Sequence, residues 1–287
     1  DAGGDELKTR KYLQEMTIRL PHVLFFDHDC WLHQYQLMVM AHLADCDAKF
    51  RDDFKADYNF YSSLSKLMIV WRDRARDIYD HWLARYGAQE AWAYARKVPP
   101  KCLRGRWGAV SNCEAFCMAP PTGHLIEVLH HVLTSKYVNK RRPAGDAAHV
   151  PDGPRAEDSK MYSEKVGRWA TQALRAVHDK RFWLMMAIAH KTRAPLDHFA
   201  HYCAKKCPPE DPAPLARLVW YKATSIGNEF HELLNNETWP EWSANPELVD
   251  VGRDVATKLS IRNHADFYCC ILQQVAQAPL NLLLLAK

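Results

Sequence analysis

Three groups of residues have the types and spacings from which chemistry can be built. The first is Cys30-Trp31-Leu32-His33, a C-x-x-H reached through the apolar run His22-Val23-Leu24-Phe25-Phe26. Thiolate and imidazole are both zinc ligands, but a structural zinc takes four. No second C-x-x-C or H-x-x-x-H follows at zinc-finger spacing. Cys30 is therefore read as a small buried packing residue, with His33 one helical turn on toward the same surface. The second group is Arg106-Trp107, in a basic, proline-bearing stretch that also holds Arg96, Lys97, Lys101 and Arg104. An indole face can stack on an unstacked base for about 1–3 kcal/mol, and a neighbouring guanidinium can clamp phosphate with two parallel hydrogen bonds. The plainer alternative is a Trp that anchors a loop to the core. The third group is His198-Phe199-Ala200-His201-Tyr202-Cys203, with Cys207 beyond it. On a helix His198 and His201 share a face, but Cys203 turns away, so one helix cannot present all four to a tetrahedral ion. Lys205 and Lys206 beside the thiols can lower a thiol pKa, yet no His-Asn catalytic signature accompanies them. Nothing matches a phosphate-binding Gly-rich loop, a serine elbow or a dinucleotide fingerprint.

The elements that must position these residues read as mostly helical. Residues 6–19 form a polar helix or arm that Pro21 ends. Val23 to Phe26 reads as a short buried strand bounded by Asp27-His28-Asp29, and a helix follows to about Asp45. Over 60–86, Leu64, Leu67, Met68, Trp71, Ile78, Trp82 and Leu83 recur at three- and four-residue steps, an apolar helical stripe with Gly87 as its C-cap. Further helices are expected over 89–97, 110–118 and 123–137. Cys113 and Cys117 read as buried residues on one helix face. Residues 139–160, rich in charge, Pro, Gly and Ala, read as an exposed linker. The C-terminal half is expected to be entirely helical: Phe182 to Ala189 is apolar all round, Pro195 punctuates, and a last helix covers about 264–286.

Composition narrows the classes. The chain has 287 residues, 48% hydrophobic, with ten Trp, enough for a sizeable core. A net charge of +4 permits a nucleic-acid partner without demanding one. Nine Cys without a regular framework read as mostly reduced thiols of an intracellular protein. The start at Asp1-Ala2-Gly3-Gly4, lacking Met, is expected of a fragment or processed product. No run approaches the roughly 18 apolar residues of a membrane span.

A strand ending in C-x-x-H, then a helical stretch, then an isolated R-W, resembles the hAT superfamily of DNA transposases. The resemblance implies an RNase H-like core interrupted by a large helical insertion. On this chain it covers a small α/β remnant over 1–45 and an insertion-type helical domain over 46–287, so the fold class expected is mainly α. It implies that Cys30 and His33 support the core and that Trp107, Arg106, Arg104 and Lys101 touch DNA. Active relatives hold two divalent metals such as Mg²⁺ on three carboxylates. Those carboxylates do not carry over: too little chain precedes Cys30, Glu241-Trp242 only echoes the third, and Asp27 and Asp29 read as turn and cap residues. The expectation is a transposase-derived DNA-binding fragment, nuclear with a cytoplasmic alternative, not catalytically competent alone, without a cofactor or bound metal, off the membrane, with self-association open. Its rivals are a helical interaction subunit of a larger assembly and a zinc- or thiol-dependent protein centred on 198–207.

Overall fold

The computed structural model describes residues 8, 12, 31–103, 108–138, 154–205, 222, 224–232 and 246–277. Among these residues there is no strand; helices are joined by turns. They are α1 (Trp31–Asp52), α2 (Phe60–Asp73), α3 (Ala75–Tyr86) and α4 (Ala88–Glu90), which passes into a π-helical turn, Ala91–Ala95. Then come α5 (Ala109–Met118), α6 (Thr122–Leu133) with a π-helical turn Thr134–Val138, α7 (Pro154–Val177) and α8 (Lys180–Lys205). Residues 224–232 are helical (α9), and a 3₁₀ turn, Pro246–Leu248, leads into α10 (Val249–Gln277).

The chain divides into two compact units. One comprises Asp1–His42, Thr192–Glu237 and Thr257–Lys287, the other Leu43–Lys191 and Thr238–Ala256. In the second, α2 packs chiefly on α7, and α6 lies on both α3 and α7. Helix α6 shows why. Leu125, Val128, Leu129, Val132 and Leu133 are all buried, at i, i+3, i+4, i+7 and i+8. Fully burying each contributes about 1.5–3 kcal/mol. Val70, Leu133, Val166 and Ala170 form one core cluster against Tyr137 and Trp169. Arg181 staples the turn after α1, donating to the carbonyls of Phe54 at 3.0 Å and Lys55 at 3.1 Å. Lys55 holds φ 55° there, a left-handed conformation that side chains other than Gly rarely adopt.

In the other unit, Phe199, Phe230 and Phe267 form an aromatic core. Helix α8 continues through Pro195, although Pro removes a hydrogen bond from a helix interior. One turn before it, the Thr192 carbonyl accepts a hydrogen bond from Asn263 Nδ2 at 2.9 Å, and His42 Nδ1 lies 3.1 Å from the same amide nitrogen. All three side chains are buried, where a lone polar group would cost about 1–3 kcal/mol.

The mainly helical expectation holds, but the α/β part of it does not. The RNase H-like remnant has no counterpart among the described residues. Trp31 to His33 open helix α1, which runs to Asp52 and so passes straight through the expected boundary at 45/46. The strand placed at 23–26 lies outside the described residues. Of the stretch read as a linker, 154–160 is the start of α7 and 139–153 lies outside the described residues. The stripe over 60–86 is real but belongs to two helices, broken at Arg74 with φ −117° and ψ 22°. Arg74 Nε donates to Tyr137 Oη at 2.9 Å, and Arg74 pairs with Asp73 and Asp77. These polar partners draw the residue out of the helical path.

Candidate nucleic-acid interface

The basic segment beginning at Arg96 hangs between two fixed points. Upstream, the π-helical turn closes with Arg96 N donating to Ala91 O at 3.1 Å. Downstream, Arg72 Nη1 of α2 donates to the Pro99 carbonyl at 2.6 Å, and Cys113 Sγ of α5 lies 3.8 Å from the Pro100 carbonyl. Pro99 is buried. Pro has no N–H to satisfy, so the Pro99-Pro100 pair can press on α2 and α5 using its carbonyls alone. Between and beyond these points Arg96, Lys97, Val98 and Lys101 are exposed.

Beside the cations stands an indole. Trp92 is 52% exposed, and the Arg96 guanidinium lies over its ring, 3.4 Å from the centroid. Trp92 and Arg96 are four residues apart, neighbours on one helical face. Ala91 and Ala95 face inward, buried, and turn the Trp92 side out. Trp82 packs on the other side of this turn at 0% exposure, its Nε1 donating to Glu90 Oε1 at 3.1 Å. The two indoles thus divide roles: one fills the core and one faces solvent beside three exposed cations. An exposed aromatic face amid cations is the pairing that holds single-stranded nucleic acid, with charge for phosphate and a ring for a base.

Of the residues expected to touch DNA, Lys101 is exposed in this segment, while Arg104, Arg106 and Trp107 lie outside the described residues. Gly108 follows them at φ 73° and opens α5. That left-handed conformation favours Gly over any residue with a Cβ. Cys30 also lies outside the described residues, as do Asp27 and Asp29. His33 sits in the first turn of α1. In the 198–207 group, His198 and His201 are exposed on α8, and His198 Nδ1 meets Glu229 Oε2 at 2.7 Å. Cys207 lies outside the described residues. No group of three His, Cys, Asp or Glu suited to a metal ion occurs among the described residues.

Sequence reasoning missed Trp92. The signal was present as Trp92-x-x-x-Arg96, a helical i, i+4 pair abutting the basic stretch. It anticipated the thiols of α5 better: Cys113 and Cys117 are both fully buried. A hydrogen bond with Cys102, and then burial, push the Cys113 thiol far above its ordinary range. Burial, then the nearby Glu114, raises Cys117. Glu114 itself is buried, accepting from Tyr61 Oη at 3.0 Å, with His190 Nδ1 at 3.6 Å.

No protein family, curated protein or solved structure matches this chain. No helix among the described residues is long and apolar enough to cross a membrane.

Proposed function

We propose that this chain binds single-stranded or locally unstacked DNA through residues 92–107, as a transposase-derived protein of the nucleus that does not cleave DNA by itself. One observation carries the reading: exposed Trp92 under Arg96, next to exposed Lys97 and Lys101, on a segment held by Arg72 and Cys113. A rigidly presented cation–indole pair loses little entropy on meeting a base, which is the advantage of preorganisation. The hAT-like order of C-x-x-H, helix and R-W supports DNA over other anions, and Arg104, Arg106 and Trp107 extend the same stretch in sequence. On this reading Cys30 and His33 keep the supporting role that the resemblance implies.

The test is fluorescence anisotropy with a labelled single-stranded oligonucleotide across a salt series. For single strands the logarithm of affinity falls with the logarithm of salt at about 0.7 per phosphate neutralised. Replacing Lys97 and Lys101 together by Ala is expected to lower affinity at every salt and flatten the slope by about two contacts. An unchanged slope, or no binding at low salt by the parent chain, sinks the reading. The interaction-subunit reading keeps one specific support: Leu37 and Met40 are 51% and 41% exposed at i, i+3 on α1. It predicts that Leu37→Ser and Met40→Ser abolish capture of a partner protein while DNA affinity stays the same.

A further inference from the structure

Two imidazole nitrogens converge on one point where α6 and α7 come together. His130, in the last turn of α6, and His178, the first residue after α7, are both exposed. His130 Nδ1 lies 2.7 Å from His178 Nε2, with ring centroids 4.7 Å apart and ring planes at 75°. We propose that these two nitrogens are the protein ligands of a site for a divalent ion of tetragonal preference, nickel(II) or copper(II), with water at its remaining positions.

The backbone holds both rings where the ion needs them. Helix α6 lies on α7, and Val128, Leu129, Val132 and Leu133 are buried on either side of His130 in sequence. On α7, Ala176 and Val177 are buried just before His178. The His178 N–H donates to the Leu174 carbonyl at 3.1 Å, and Trp183 Nε1 donates to the Val177 carbonyl at 2.8 Å. A ligand pair on packed helices meets an ion with little left to order. His178 also lines an open cavity of about 440 Å³, which leaves room for the waters. The cations that share its lining are each paired: Arg175 with Asp57, Lys180 with Glu247 and Arg181 with Asp179.

The separation of the nitrogens selects the ion. An imidazole nitrogen sits about 2.0–2.1 Å from a bound transition ion. Two such ligands at right angles stand about 2.8–3.0 Å apart, and two at the tetrahedral angle about 3.3–3.4 Å. The observed 2.7 Å needs only a few tenths of an ångström to reach the first, and rotation of two exposed side chains supplies that. The pair is the corner of a square, not the edge of a tetrahedron, which favours nickel(II) and copper(II) over zinc. Imidazole suits both ions, whereas magnesium takes oxygen ligands. His81 and His131 make no such site. Their rings stack with centroids 4.0 Å apart and planes 8° from parallel, so the in-plane lone pairs run side by side instead of converging.

In the metal-free chain one ring donates its N–H to the other, the tautomer deciding which. On binding, that proton passes through water to the other nitrogen of its own ring. Both rings stay neutral, both lone pairs face the ion, and two waters leave its hydration shell. The ion keeps its charge and oxidation state. It would tie the end of α6 to the end of α7, and none of this rests on the DNA reading.

The test titrates the full chain, first stripped with a chelator, with Ni²⁺, Zn²⁺ and Mg²⁺ in a calorimeter; Ni²⁺ is the main probe because thiols do not reduce it. Ni²⁺ is expected to bind more tightly than Zn²⁺, and Mg²⁺ not at all. His130→Gln and His178→Gln, both at exposed positions, are each expected to weaken Ni²⁺ at least about tenfold, the loss that even an outer-shell partner can cause. His131→Gln should leave it unchanged. A second measurement needs no variant. Bound Ni²⁺ should protect His130 and His178 of the parent chain from diethylpyrocarbonate while His131 stays reactive, read by peptide mapping. No Ni²⁺ binding, tighter binding of Zn²⁺, or protection of His198 and His201 in place of this pair overturns the proposal. So does full affinity in a His130→Gln or His178→Gln chain that melts like the parent.

Discussion

Trp82 and Trp92, ten residues apart, divide the work of this region. Trp82 has no exposed surface and a satisfied indole N–H, whereas Trp92 is half in solvent with Arg96 on its face. Trp82→Ala is expected to cost about 3–5 kcal/mol, the range for emptying a core aromatic site. Trp92→Ala should leave the melting temperature nearly unchanged and weaken DNA binding by about 1–3 kcal/mol, one stacked base. Thermal melts and anisotropy on the two variants check this. A stability loss for Trp92→Ala as large as that for Trp82→Ala would make Trp92 a packing residue and remove the platform. Trp82 was legible in the sequence because it falls on the apolar stripe of its helix. Trp92 was not: Ala91, Ala93 and Ala95 around it carry no periodic signal, and a π-helical turn shifts the register that a 3.6-residue period would assign. The burial of Cys113 and Cys117 was legible from their shared helix face, whereas the contact of Cys113 with the Pro100 carbonyl was not, because nothing in the spacing says that Pro99-Pro100 folds back on α5.

At the scale of the element, helix α6 is fastened by histidines. His131 stacks on His81 of α3 with ring centroids 4.0 Å apart, and His130 Nδ1 meets His178 Nε2, just past α7, at 2.7 Å. His124 meets Glu90 Oε1 at 2.7 Å and stacks on Tyr86. Burial first, then the neighbouring imidazole, holds both His81 and His178 below the ordinary 6.5. Glu127 opposes this at His81, Arg85 reinforces it, and Glu127 keeps its charge through Tyr86 and Arg85. The unfolded chain therefore binds these protons at higher pH than the folded one does. The stability is present above pH 6.5 and is lost as pH falls through the lowered folded values. Because these rings are largely solvated, screening keeps the effect small. A melting temperature lower by about 2–4 °C corresponds to roughly 1 kcal/mol in a chain of this size, and we expect no more. The double variant His131→Gln, His178→Gln should flatten the decline between pH 7 and pH 5; an unchanged slope would place the pH sensitivity elsewhere. The helix itself was plain in the sequence from its apolar spacing. The breaks were less so: Arg74 interrupts an unbroken stripe because Tyr137, Asp73 and Asp77 gather around it from another helix and its own flanks. α8 ignores Pro195 because tertiary packing overrides a local breaker.

For the whole molecule, the proposed interface must work against a nearly balanced charge. Thirty-eight Lys and Arg face thirty-four Asp and Glu, giving +4 and an isoelectric point near 8.5. A field that weak, screened over about 8–10 Å at ordinary salt, cannot supply DNA affinity by itself. If the affinity comes from Trp92, Arg96, Lys97 and Lys101, it depends on local contacts and not on the net charge of the chain. Raising the pH from 7.5 to 9 carries the chain through its isoelectric point near 8.5. Local binding is expected to survive that reversal of net charge, with affinity falling by less than about tenfold, or 1.4 kcal/mol. Binding governed by overall charge would instead collapse as the net charge changes sign. Anisotropy at fixed ionic strength separates the two, and a loss of far more than tenfold at pH 9 would show that the basic segment is not the site.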